Sequence, residues 1–203
     1  IFNYIGQFYV AFIGILILPL YLKHMGSESY GLIGIFTLLQ SWMLLLDLGL
    51  SPTLAREVAM LHSQPQLSHQ LRSVVRSLEM IFIIIALTAS LSLFFSRNWI
   101  AHEWLNIKEL DFSLVSTCIG LMAVIIGIRW LAALHRSGIN AYEQQVWMNI
   151  VDVILVTLRF PGSLLLIIYS DGNLLMFFGY QLSLALVEQM IISFKFYSLL
   201  PQV

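Results

Sequence analysis

Six stretches of the chain are long and apolar enough to cross a membrane as helices. A bilayer core about 30 Å thick requires roughly 20 mostly apolar residues in one helix. The stretches cover about residues 2–22, 30–52, 78–96, 113–134, 149–169 and 174–194. They are continuous rather than alternating, which excludes the strands of a membrane barrel. Because helices satisfy their own backbone polar groups in lipid, the sequence predicts an all-α polytopic membrane protein with a six-helix transmembrane bundle.

The composition agrees with this class and excludes several others. Of the 203 residues, 59% are hydrophobic and 10% are charged, which is outside the range of soluble domains. The net charge of −1 gives no reason to expect a nucleic-acid partner. The single cysteine, Cys118, has no partner for a disulfide. Because His62 and His69 lack a third ligand and no enzyme motif occurs, neither a metal, nor a cofactor, nor an enzyme is predicted.

Lysines and arginines in the connections predict the orientation, since cytoplasmic loops carry an excess of them. Three lie in the connections after the odd-numbered helices: Lys23, Arg97 and Lys108. Five lie after the even-numbered helices and in the tail: Arg56, Arg72, Arg76, Arg136 and Lys195. The N-terminus is therefore predicted to be cytoplasmic. The chain enters its first apolar stretch directly from Ile1, which favours a segment cut from a longer protein.

Arg159 is the charged residue that the membrane interior disfavours most. It lies about ten residues into the fifth stretch, close to the bilayer midplane. A charge at a helix centre costs about 2.5 to 3.5 kcal/mol on insertion scales and commonly faces a bundle interior or a water-filled cavity. Asp152 precedes it by two turns on the same helix face. Pro161 and Gly162 follow, and a proline inside a span permits a kink.

Other embedded charges gather toward the predicted cytoplasmic side. Asp47 lies near the inner end of the second helix, Arg129 near that of the fourth, and Glu188 in the inner half of the sixth. Arg56 marks the cytoplasmic exit of the second helix. This distribution predicts a cavity that is wet from the cytoplasm. The alternative is that Arg56 and Arg129 extend to the interface and serve as positive-inside anchors.

Two stretches of sequence resemble a known family. NYIGQFYVAFIGILILPLYLKHMGSESYGLIGIFTLLQSWMLLLDLGLSPTLAREVA is similar to the opening two helices of bacterial polysaccharide flippases of the Wzx type, in the multidrug/oligosaccharidyl-lipid/polysaccharide exporter superfamily. AYEQQVWMNIVDVILVTLRFPGSLLLI is similar to the family's fifth helix. The matching features are Pro19, Gly26, Tyr30, Gly31, Asp47 to Leu50, Arg56, Asn149 and Arg159.

The resemblance implies a fold and a function. Residues 1–203 would be the N-terminal lobe of a two-lobe transporter whose C-terminal lobe is absent from the chain. The protein would move undecaprenyl-pyrophosphate-linked oligosaccharide across the bacterial inner membrane by alternating access, for O-antigen and lipopolysaccharide biosynthesis. Membrane lipid and polysaccharide assembly proteins would be its partners, and a proton or sodium ion would drive it.

The depth and charge of individual residues suggest their roles in this function. Arg159 would be the cation of the lumen, and Arg129 and Arg56 would contact substrate near the inner mouth. Asp47 and Asp152 would hold these arginines or respond to the coupling ion. Two other functions stay open: a drug exporter of the same superfamily, and a membrane-embedded glycan polymerase or ligase.

Overall fold

The computed structural model describes residues 2–45, 47, 49–61, 68–105 and 110–201. His62 and Lys108 lie outside these ranges. Within them every regular element is a helix. The α-helices are α1 (Phe2–Met25), α2 (Ser27–Leu45), α3 (Leu50–Leu61), α4 (Ser68–Phe95), α5 (Arg97–Trp99), α6 (Phe112–Ala141), α7 (Gln145–Thr157), α8 (Ser163–Tyr169) and α9 (Leu174–Leu199). Two π-helical segments, Ile100–Trp104 and Leu158–Gly162, continue α5 and join α7 to α8.

Four helices in the described ranges are long and apolar enough to span a bilayer. They are His69–Phe95, Phe112–Ala141, Gln145–Tyr169 and Leu174–Leu199, the last four of the predicted stretches. The prediction of an all-α membrane bundle is therefore confirmed, and the chain is a multi-pass membrane protein. The first two stretches are helical as α1 and α2, and their passage across the bilayer stays a prediction.

The outer surface of the bundle is apolar where these helices face outward. On α4 the exposed side chains include Met80, Ile84, Leu87 and Leu91, each with about half or more of its surface accessible. A continuous apolar face of this kind is rare on a soluble monomer. Such a face suits contact with the hydrocarbon of a bilayer, because apolar side chains are not exposed to water there.

Helix α6 forms the centre of the bundle and packs against α3, α4 and α9. Its side chains Ile119, Met122 and Leu134 are fully buried. Trp130 stacks on Phe82 of α4 with ring centroids 4.5 Å apart, a favourable aromatic arrangement. Arg129, His135 and Arg136 on α6 therefore lie largely within the bundle, whereas Ser113, Thr117 and Asn140 are exposed.

The second predicted stretch, residues 30–52, is interrupted before its predicted end. Helix α2 ends at Leu45 and α3 begins at Leu50. Gly49 has a φ of +83°, a left-handed conformation that glycine adopts without steric cost. Helix α3 occupies part of the segment expected to be a polar connection, because Leu54 and Val58 form a buried stripe one turn apart.

Candidate functional site

Three helices each carry two polar side chains spaced seven residues apart, which places each pair on one helix face. The pairs are Arg129 and Arg136 on α6, Asp152 and Arg159 on the α7 helix and its π-helical continuation, and Gln181 and Glu188 on α9. We refer to Arg129, Arg136, Asp152, Arg159 and Glu188 as the charged cluster.

Glu188 is the anionic centre of this cluster. It is 5% exposed, and each of its carboxylate oxygens binds a different guanidinium. Arg136 Nη2 lies 2.8 Å from Oε1, and Arg159 Nη2 lies 2.6 Å from Oε2. Arg136 Nη1 also donates to Asp152. Such charge-assisted hydrogen bonds are the strong ones in proteins, so the carboxylates tie α6, α7 and α9 together.

Arg136 therefore differs from its sequence interpretation. The sequence places it in a cytoplasmic connection, whereas in the structure α6 extends to Ala141 and includes Arg136. An arginine that binds two carboxylates inside the bundle does not report the sidedness of a loop. Without it the count for a cytoplasmic N-terminus falls from five to four, against three, and the orientation stays a prediction.

Arg129 has neutral partners instead of carboxylates. Its Nη1 donates to Gln40 Oε1 at 2.9 Å, and its Nη2 donates to Gln181 Oε1 at 2.7 Å. The guanidinium carbon lies 5.5 Å from the ring centroid of Phe36. Its Nε is buried without a hydrogen-bond partner, and no ion pair joins Arg129 to a carboxylate of the described residues. This cation is held in place but not neutralised by direct contact.

Gln181 links the two halves of the site. It is 3% exposed, and its Nε2 donates to Ser163 Oγ at 3.0 Å and to the backbone oxygen of Arg159 at 3.3 Å. Its Oε1 accepts from Arg129. The position of Arg129 is therefore connected to the helix segment that carries Arg159.

That segment, Leu158–Gly162, is π-helical and contains Pro161, which cannot donate to the helix ladder. Side chains of neighbouring helices bind the carbonyls there: Tyr180 donates to Leu158 O at 3.0 Å, and Tyr21 donates to Phe160 O at 2.9 Å. In a membrane such carbonyls require a partner within the protein. Single π-helical turns often occur at functional sites.

A cavity of about 190 Å³ lies beside Arg129. Gln40, Ser41 and Trp130 contribute to its lining. Trp130 is 3% exposed, and its indole N–H has no partner among the described residues. A water needs only about 10–15 Å³ of such volume, so this cavity, which apolar side chains also line, has room for several waters or a small anionic group.

The remaining predicted site residues lie apart from the charged cluster. Asp47, in the turn between α2 and α3, accepts from the backbone N–H of Ser51 at 3.1 Å and from its hydroxyl at 2.8 Å. Arg56 is exposed on α3. Neither forms an ion pair with a described residue. The structure thus joins Arg129, Asp152 and Arg159 through shared partners, and it gives Asp47 a local hydrogen-bonding role.

Sequence reasoning missed three residues that complete the site: Gln40, Arg136 and Gln181. It identifies Glu188 as an embedded charge but not as the partner of two arginines. The repeated spacing of seven on three helices could have revealed Arg136, Gln181 and Glu188, because each lies two turns from another polar side chain. No such spacing marks Gln40.

No protein-family model, curated protein or solved structure matches the chain. Among the described residues, no group of three or more histidine, cysteine, aspartate and glutamate side chains is arranged to hold a metal ion. The geometry of the charged cluster therefore carries the functional interpretation.

Proposed function

We propose that this chain is the N-terminal six-helix lobe of a flippase for lipid-linked oligosaccharide. The substrate would be an oligosaccharide attached to undecaprenyl pyrophosphate, and alternating access would carry it from the cytoplasmic to the outer leaflet of the bacterial inner membrane. The family resemblance suggests this substrate, and Arg129 supplies the physical support.

The central observation is a cation inside the bundle with neutral partners on both sides. Burying a charge costs several kcal/mol unless it is paired and hydrogen-bonded. Arg129 binds two glutamine oxygens and borders a cavity that Gln40 and Ser41 also line, but no carboxylate of the described residues neutralises it by contact. An anionic ligand in that cavity would supply the missing counter-charge.

A pyrophosphate fits this role better than an organic cation does. The charged cluster contains three arginines and two carboxylates, an excess of one positive charge over these five residues. Such an excess repels the cations that drug exporters expel. Arginine is also the residue of choice for phosphate, because its planar fork donates two parallel hydrogen bonds.

The ion pairs of Glu188 suggest how a phosphate would change the conformation. Arg136 and Arg159 come from different helices and share one carboxylate. A phosphate that competes for Arg159 would weaken the link between α7 and α9 while leaving Arg136 bound to Asp152. The contact between substrate and Arg159 would then replace a contact between helices. A ligand that favours one conformation over another in this way is what alternating access requires.

The test uses the full-length parent protein in its host. The protein is depleted and replaced by Arg129→Gln, Arg129→Lys or the control Lys23→Gln, at matched amounts in the membrane. Undecaprenyl-linked glycan is then quantified on each membrane face with an external glycan-binding probe. Lys23 is a suitable control because it is an exposed cation on α1, has no assigned role and lies outside the charged cluster.

Arg129→Gln should reduce export at least tenfold, since a hydrogen bond to a charged group contributes about 1.5–3 kcal/mol and each 1.4 kcal/mol is a factor of ten. Arg129→Lys should retain part of the activity, because it keeps the charge without the fork. Glycan should accumulate on the cytoplasmic face. Normal export after depletion would refute the proposal, and loss of organic-cation efflux in the same cells would favour the drug exporter.

A further inference from the structure

A second polar network lies in the bundle beside the charged cluster. We refer to Glu79, His135, Gln189, Ser193 and Tyr197 as the histidine network. His135 on α6 is 4% exposed, and its ring stacks on Phe196 with centroids 5.3 Å apart. A buried imidazole in a membrane protein requires satisfied nitrogens, and both nitrogens of His135 have partners.

The two ring nitrogens of His135 have different partners, a carboxylate and a hydroxyl. His135 Nε2 lies 2.8 Å from Glu79 Oε1, which also accepts from the Tyr197 hydroxyl at 2.6 Å. His135 Nδ1 lies 3.0 Å from Ser193 Oγ, to which Gln189 Nε2 donates at 2.9 Å. With a neutral imidazole, Nε2–H donates to the carboxylate and Nδ1 accepts from the serine hydroxyl.

The same network accommodates a protonated imidazole. A proton on Nδ1 donates to Ser193 Oγ, because a hydroxyl both donates and accepts. The serine proton then turns toward the side-chain amide of Gln189, whose Oε1 is buried and has no partner among the described residues. Rotation of that amide presents Oε1 as the acceptor. The imidazole and the serine hydroxyl therefore keep an acceptor for each of their hydrogens in both states.

We propose that Glu79 and His135 form a proton-binding site that couples to the charged cluster. Histidine is the side chain whose charge changes most readily near neutral pH. Glu79 compensates the imidazolium directly, and the half-exposed Tyr197 connects the pair to the surface. The proton is taken from water and bound reversibly, so no other reactant is required.

The surroundings of the pair contain few other charges. From α4, Arg76 acts electrostatically on Glu79 and on Tyr197 of α9. From α3, the buried side chains toward α4 and α6 are the apolar Leu54 and Val58. The closest charge on α6 itself is Arg136, whose guanidinium binds Asp152 and Glu188. Lys195 of α9 lies over the ring of Trp147.

Coupling follows from adjacency along two helices. His135 precedes Arg136 on α6, and Glu188 precedes Gln189 on α9. Each helix therefore contributes one residue to the histidine network and its neighbour to the charged cluster. A positive charge added at His135 acts electrostatically on its neighbour Arg136, and Gln189 is the direct neighbour of Glu188. This coupling to transport rests on the proposed flippase function; the proton site itself does not.

Infrared difference spectroscopy on the full-length protein in lipid vesicles tests the site without a transport assay. Ring-labelled histidine is titrated from pH 8 to pH 5 in the wild type, His135→Gln, Glu79→Gln and the control His102→Gln. His102 is a matched control because it also contacts a glutamate, with His102 Nδ1 3.0 Å from Glu103 Oε1, but is exposed.

His135→Gln should remove one imidazolium component, and Glu79→Gln should change the pH dependence of that component, because the imidazolium loses its counter-charge. His102→Gln should remove a different component that Glu79→Gln leaves unchanged. If the wild-type and His135→Gln titrations coincide, the proton site is refuted. Glu79→Gln preserves the test if His135→Gln fails to fold: an unchanged titration in Glu79→Gln also refutes the site.

Flipping in vesicles with a pH gradient tests the coupling. For one proton per substrate, each pH unit should change the steady-state ratio of glycan on the two faces up to about tenfold in the wild type. His135→Gln should flip glycan without this response. A retained response in His135→Gln refutes the coupling. If the titration supports the site but the wild type moves no glycan, the flippase function fails and the proton site stands.

Discussion

Replacing Glu188 with glutamine should destabilise the protein far more than the same change at Asp152. Both carboxylates bind Arg136, and both replacements remove one negative charge at nearly constant volume. Glu188 also binds Arg159, and its side chain is 7% exposed compared with 37% for Asp152. The two positions therefore differ in burial and in the number of arginines that lose a partner.

The magnitudes follow from burial. Removing one partner of a buried ion pair costs about 3–5 kcal/mol, because the other charge stays buried and uncompensated. Ion pairs at an exposed surface contribute about 0–1 kcal/mol, and the accessibility of Asp152 brings its pair toward that range. Glu188→Gln also raises the excess positive charge of the charged cluster from one to two, since three arginines then face one carboxylate.

Unfolding of the purified full-length protein in lipid bicelles, followed by tryptophan fluorescence during SDS titration, measures the difference. The free energy of unfolding should fall by about 3–5 kcal/mol in Glu188→Gln and by about 1 kcal/mol or less in Asp152→Asn. The double variant Arg159→Gln with Glu188→Gln restores the excess of one charge. It should lose less than the sum of the single variants, by about 0.5–3 kcal/mol.

Two outcomes would refute this reasoning. Equal losses in Glu188→Gln and Asp152→Asn would mean that burial does not set the strength of these ion pairs. Additive losses in the double variant would mean that Arg159 and Glu188 do not stabilise each other, despite the 2.6 Å between Nη2 and Oε2.

Two further predictions concern packing and the turn before α3. Gly138→Ala should destabilise the protein by about 1–3 kcal/mol, because the added methyl group would overlap the fully buried ring of Phe196. Gly179→Ala, with open space at that position, should be neutral or stabilising by up to about 1 kcal/mol in the same assay. Asp47→Ala should lower the free energy of unfolding by about 0.5–2 kcal/mol through loss of the hydrogen bonds to Ser51, whereas Asp47→Asn should unfold like the wild type. Equal losses in the two Asp47 variants would contradict a capping role.

Long apolar runs made the fold class predictable, because a bilayer leaves helices as the only structure for such segments. Breaks between helices were harder to locate. Leu45, Leu50 and Leu54 continue the same apolar composition, and the change from α2 to α3 depends on the backbone conformation of Gly49. Hydropathy averages over a window and does not register one left-handed residue.

The depth of charged residues in the apolar helices indicated candidate site residues, but the side chains that bind them could not be predicted. Arg159 and Arg129 were identified because charges deep in an apolar helix are costly. Arg136 was missed because α6 continues beyond the apolar run, so a residue assigned to a loop lies inside the bundle. The partners Gln40 and Gln181 are neutral, and they acquire significance only when tertiary packing places their oxygens on Arg129.

The π-helical segment Leu158–Gly162 makes the length of this helix, and not only its composition, a determinant of the fold. A π-turn contains one residue more than an α-turn, so deleting one residue there would restore regular α-helical geometry. Each residue of an α-helix turns the chain by about 100° and advances it by 1.5 Å. Because the π-turn accommodates its extra residue within one turn, this deletion would keep α8 in nearly the same orientation relative to α7, and it would displace the carbonyls that bind Tyr21 and Tyr180. A single-residue deletion elsewhere in α7 has no extra residue to compensate for it, so it would turn the helix faces on its two sides by about 100° relative to each other and should be poorly tolerated.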